Sequence, residues 1–192
     1  INLGTTSSTS FGLSDAQLDS ITAGTLVIGR NDGGLSSGII TVSQALNLTP
    51  NLQLIGPAGI TLNNNVTTTG SQTYTGAVTL GANFALDTTN SNILFSSTLN
   101  GAQTLGLTAG AGTVTFTSTV GNNAQLSALT ISSAGDVSIG ADMRVTGAIG
   151  ITSNSGVNVS LGSATGGLNL SNTELGFITA AGSLNITAAG AG

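Results

Sequence analysis

Few side chains in this sequence could do chemistry. Asp15 and Asp19 lie four residues apart, on one face if that stretch is helical, where paired carboxylates could bind a metal or exchange protons. Asp136 and Asp142 flank Val137-Ser138-Ile139, with Arg144 close behind. Acids grouped with a basic residue on one face would suit cleavage of a polysaccharide. Arg30-Asn31-Asp32-Gly33-Gly34 has the flavour of a calcium loop but lacks the alternating oxygen ligands of one. The glycines at 110, 112, 166 and 167 precede no lysine and no helix start, so they read as turns rather than phosphate cradles.

The sequence itself argues against these candidates. Leu13 to Ile28, LSDAQLDSITAGTLVI, returns as LSNTELGFITAAGSLNI from Leu170 to Ile186, with Ile1-Asn2-Leu3-Gly4 echoed by Val159-Ser160-Leu161-Gly162. In the echo Asn172 and Gly176 replace Asp15 and Asp19, which a repeated metal or catalytic pair should not tolerate. The default for both acids is a solvated or helix-capping role. The chain has no His, Cys or Lys to complete an acid–base or nucleophilic set. The expectation is therefore no enzyme, with no catalytic residues, no metal ligands and no cofactor.

The elements that would position any site are short. Apolar–polar–apolar triads recur: Ile40-Thr41-Val42, Ile60-Thr61-Leu62, Val78-Thr79-Leu80, Val114-Thr115-Phe116, Val137-Ser138-Ile139 and Val159-Ser160-Leu161. Each buries two side chains and exposes one. The last residues of one set, Leu62, Leu80, Phe116, Ile139, Leu161 and Ile186, are spaced by 18, 36, 23, 22 and 25 residues, and Ile93-Leu94-Phe95 halves the largest gap. Brief strands closed by Gly, Asn or Ser at this rhythm predict an all-β parallel β-helix (β-solenoid) with irregular coils of roughly 20 residues. Helix signals are confined to the repeated motif. Ser14 and Gln17 have capping-box spacing, as do Ser171 and Glu174, and Leu18 and Ile21 should point inward. Pro50 and Pro57 should sit at corners.

The offset between the two copies is 170 − 13 = 157 residues. The chain thus reads as one β-solenoid segment, 1–192, with a tandem unit of about 157 residues over 1–158 and the next unit starting near 159. Eight coils of roughly 20 residues would fill it. No polar cap is evident at either end, so the unit should continue end to end with copies of itself, in one chain or by stacking.

The motif LSDAQLDSITAGTLVIG and the segment SQTYTGAVTLGANFAL, Ser71 to Leu86, resemble the repeat regions of filamentous-haemagglutinin-type adhesins, large proteins secreted by two-partner or autotransporter routes. The second is similar to their Tyr-containing YDG-type repeats, here Tyr74-Thr75-Gly76, with Thr where such repeats carry Asp or Asn. The resemblance implies a right-handed parallel β-helix, outside a Gram-negative-type bacterium, that is structural or adhesive and has no family active site.

Composition bounds the partners. Two arginines against seven acids give a net charge of −5, which excludes a basic footprint for nucleic acid and gives no polybasic pull toward anionic lipid. No apolar run reaches membrane-spanning length. Absence of cysteine fits secretion through membranes in an unfolded state. Sequons at Asn47, Asn65, Asn158, Asn169 and Asn185 are what an Asn- and Thr-rich chain produces by chance. The function expected is an extracellular fibre, stalk or adhesin segment, with host or neighbouring-cell glycans or proteins as possible receptors. The alternative is a polysaccharide-binding or polysaccharide-cleaving β-helix, disfavoured by aromatics at 3%. Outward Thr61, Thr79, Thr115, Thr130, Ser138 and Ser160 would line up as rows if their triads share a face.

Overall fold

The computed structural model describes residues 1–7, 9–32, 35–154, 159–161, 168–170, 172–180 and 182–187, without the side chains of 35, 159–161, 168–170 and 180. The chain winds as a parallel β-solenoid of about five turns with three faces. Face 1 stacks Gly12–Ser14, Asn2–Gly4, Ile40–Val42, Ile60–Leu62, Val78–Leu80 and Leu99–Asn100, and continues through Val120 to Met143–Val145 and Ile178–Ala180. Face 2 stacks Leu46–Leu48, Val66–Thr68, Phe84–Thr88, Thr104–Thr108, Ala128–Ser133, Ile149–Thr152 and Leu184–Thr187. Face 3 stacks Thr25–Gly29, Asn51–Ile55, Gln72–Thr75, Ile93–Phe95, Thr113–Phe116 and Asp136–Ile139. The chain visits faces 1, 2 and 3 in turn.

Alternation within each strand sets the cross-section. Val78, Leu80, Val114, Phe116, Val137 and Ile139 are buried, whereas Thr79 is exposed and Thr115 and Ser138 are partly so. The expected burial of Val159 and Leu161 concerns side chains outside the described residues. Laterally aligned Ile40, Ile60, Val78, Leu99, Val120 and Met143 are spaced by 20, 18, 21, 21 and 23 residues, so the expected coil length holds.

Three expectations change. The spaced triads do not share a face: Leu62 and Leu80 lie on face 1, Phe116 and Ile139 on face 3, and Ile186 on face 2. The outward residues therefore form separate rows, with Thr61 and Thr79 on face 1, Thr130 on face 2, and Thr115 and Ser138 on face 3, while Ser160 is a side chain outside the described residues. Eight coils for the repeat is too many. From Thr25–Gly29 the strands of face 3 advance through Asn51, Gln72, Ile93 and Thr113 to Asp136. That is five turns, after which Ile178–Ala180 on face 1 and Leu184–Thr187 on face 2 add one further strand each. Stretches without strand, such as 121–125, use residues that strands would otherwise hold.

Inward residues form continuous columns. On face 3, Ile28, Leu54, Tyr74, Phe95, Phe116 and Ile139 lie in lateral register. The three rings stack with centroids 5.2 and 5.3 Å apart and interplanar angles of 14° and 0°. Phe95 has an aromatic ring on each side, so its loss leaves a void that flanking strands cannot collapse into. Phe95→Ala is expected to destabilise the fold by about 3–5 kcal/mol, read as a lowered urea midpoint at unchanged m-value.

Candidate functional site

Asp15 opens a short helix, α1, Asp15–Asp19, whose N-cap Ser14 and Gln17 form the expected capping box. Leu18 is buried, but Ile21 is 38% exposed rather than tucked inward. Asp15 does not pair with Asp19 in a site. Its Oδ1 accepts the backbone N–H of Asn47 at 3.0 Å, on the first strand of face 2. Asp136 accepts the Val137 N–H at 2.9 Å. Asp142 binds Arg144 at 3.0 Å, and Arg30 Nε donates to Asp32 at 2.7 Å. Both arginines of the chain are thus held by an acid two residues away, which leaves no basic patch to meet a polyanion. Asn31–Asp32 and Leu35–Ser36 form a small antiparallel pair, in keeping with a turn rather than a calcium loop, and Gly33 and Gly34 between them lie outside the described residues. Among the described residues no three potential ligands cluster to hold a metal ion, and no cleft or cavity opens.

A second helix, α2, Asn172–Phe177, carries the echo. Its Glu174 Oε1 accepts the N–H of Ile139 at 2.9 Å, on the last strand of face 3. The direction of these two bonds follows a rule visible throughout the solenoid. Inward residues donate their N–H to the following coil: Ile40 to Gly59, Leu46 to Asn65, Ile60 to Ala77. Outward residues donate to the preceding coil: Thr41 to Ile1, Ser43 to Leu3, Thr69 to Leu48. Asn47 is outward and Ile139 inward, so α1 closes an edge that faces backward and α2 closes one that faces forward. The sequence shows no polar cap, yet these helices partly supply one through Asp15, expected in a solvated or helix-capping role, and Glu174, expected in a capping box with Ser171, a residue outside those described.

The repeat is also structural. Asn2–Gly4 pairs with Gly12–Ser14 with Leu3 opposite Leu13, and Val159–Leu161 pairs with Leu168–Leu170 with Leu161 opposite Leu170. A helix follows each pair. The strand after α1, Thr25–Gly29, lies on face 3, and its counterpart Leu184–Thr187 lies on face 2. The copies therefore share local form but start on different faces.

The Tyr-containing segment has a structural reason for its residues. Gln72 and Tyr74 are both fully buried inward residues of one strand. Tyr74 Oη donates to Gln72 Oε1 at 2.8 Å, while Gln72 Nε2 donates to the carbonyls of Val66 at 3.0 Å and Asp87 at 2.9 Å. Every polar atom of this pair is occupied inside the core, which is the condition for burying it without large cost. At Gly76, φ is +141° and a Cβ would stand 2.1 Å from the Gly56 carbonyl oxygen, so only glycine fits. Inward parity of Gln72 with Tyr74 was the available signal for this pair. Asparagines at the corners act alike from outside: Asn51, Asn65, Asn83 and Asn92 accept the N–H of Ser71, Ala85, Thr104 and Thr113 one coil on, all within 2.9 Å.

No protein-family model, curated protein or solved structure matches the chain.

Burial pushes the Tyr74 phenol well above its usual range, because the ionised form would lose its hydration. The sign follows: stability is complete below the unfolded tyrosine pKa of about 10 and falls as pH rises above it, by up to about 1.4 kcal/mol per pH unit. Tyr74 is the only tyrosine, and no Lys or Cys titrates in the same range. Urea midpoints measured from pH 8 to 12 are expected to fall for the natural chain. Tyr74→Phe should start lower, since Gln72 Oε1 loses its donor, and then stay level across that range.

Proposed function

We propose that this chain is a segment of an extracellular fibre, stalk or adhesin built from tandem β-solenoid repeats on a Gram-negative-type bacterium, with copies of itself as its end-to-end partners. The observation that carries the reading is the reappearance, after one 157-residue unit, of the same strand–strand–helix arrangement, stacked on the coils before it. A unit that restarts on the ladder of its own preceding coils, though on another face, is a component for length rather than for a pocket. The resemblance to haemagglutinin-type repeats, the lack of cysteine and the low charge support an extracellular setting.

The polysaccharide reading finds less support. Tyr74, Phe95 and Phe116 are consumed by the core stack, and Phe84 is buried, so they offer no platform to a sugar ring. Small-angle scattering and electron microscopy of the purified chain are expected to show an elongated particle of constant cross-section. A glycan array followed by a depolymerisation assay supplies the opposing test. Turnover of a polysaccharide would replace the structural reading with the enzymatic one.

A further inference from the structure

The end of the solenoid that carries residues 1–28 is an unfinished core. Phe11 continues the inward column of Ile40 and Ile1, because the Asn2 N–H bonds the Phe11 carbonyl and Asn2 is opposite both Gly12 and Thr41. Yet Phe11 is 65% exposed. Ile21 is also exposed; Leu26 and Ile28 are themselves buried but are, among the described residues, the first rungs of face 3. The outward residue between them, Val27, belongs to the class whose N–H points backward, toward a preceding coil.

The same chain shows what covers such a surface, because the second copy of the motif is docked. Ile178, the counterpart of Ile21, stands opposite Met143 and packs against the core. Leu184 and Ile186, the counterparts of Leu26 and Ile28, stand opposite Ile149 and Ile151. Glu174, the counterpart of Gln17, accepts the forward-pointing N–H of Ile139. In the first copy Gln17 is exposed, and its Oε1 accepts the Ser14 N–H at 3.0 Å. Ser14 is outward by its register with Gly4, so that N–H is a backward-pointing edge group. Gln17 therefore already stands on the end face that a preceding coil would meet.

We infer that residues 1–28 form a docking surface for the coil Asp136–Thr152 of a second copy of this chain, in the register that residues 168–187 adopt here: Met143 against Ile21, Ile149 against Leu26 and Ile151 against Ile28. The inference rests on the tandem-array reading and adds to it the register and contact residues of the junction. Within that junction Gln17 takes the place of Glu174, its carboxamide oxygen accepting the Ile139 N–H. Backbone ladders on two faces and closure of the open columns hold the two copies as one body.

The test uses a tandem protein in which residues 1–158 are joined directly ahead of the full chain. The natural sequence lacks cysteine, so Ile21→Cys in the second copy is a clean reporter. In the single full chain this exposed thiol should react freely with a thiol reagent. In the tandem protein the same substitution should react at least about tenfold more slowly, as expected for a group that needs local opening. Phe11→Cys serves as a second reporter at a site exposed in the single chain. Scattering of the tandem protein should fit one straight particle. Unchanged reactivity at both positions, with an extended but hinged particle, would overturn the junction while leaving the fibre reading intact. Unchanged reactivity with a compact, folded-back particle would overturn both.

Discussion

Each coil of this protein is held by a directional rule of the backbone. Inward residues give their N–H to the coil ahead, and outward residues give theirs to the coil behind. A residue's face and its bonding direction are therefore the same choice, since side chains alternate along a strand. A slip of one residue would expose an apolar column and aim each N–H the wrong way. This coupling lets strands of only three residues hold register. Corners are its weak points, because there the rhythm breaks and a backbone donor loses its partner. Asparagine at those corners supplies the missing oxygen from a side chain, which is why a chain with almost no charge is rich in Asn.

The same rule explains the two helices. An edge strand presents unpaired donors, and only a group placed at the right height can accept them. Asp15 and Glu174 do this from opposite sides, one receiving a donor that points back and the other a donor that points forward. Their position in the repeated motif differs by two residues. The loss of Asp15 and Asp19 in the echo therefore excludes a repeated acid pair without excluding a repeated task.

Much of the fold was legible because its period is short and its alternation strict. Val78, Thr79 and Leu80 announce two buried positions and one open one, and triads recurring at 18 to 25 residues, with one gap of 36 that Ile93-Leu94-Phe95 halves, announce the coil length even though they fall on different faces. Which face a triad occupies was not legible, because the faces use the same vocabulary and Leu62 and Phe116 look alike as strand ends. Ile21 was read as inward because its helix geometry says so, but burial also needs a covering coil, which lies beyond a local pattern. Gln72 was missed for a related reason: a polar residue at an inward position looks like an exception until Tyr74 and the carbonyls of neighbouring coils are seen to satisfy it. For the site, the sequence could show that acids were scattered. Their service to backbone edges was visible only once Asn47 and Ile139 were placed.

The second copy of the motif starts on a different face from the first, with Thr25–Gly29 on face 3 and Leu184–Thr187 on face 2. If units followed one another with that offset, identical residues would fall on different sides of the shaft, and three units would pass before a side recurred. Any feature fixed to one corner, such as the Arg30–Asp32 hairpin, would climb the shaft as a spiral. The core behind it stays the same three-walled tube whichever face the motif starts on.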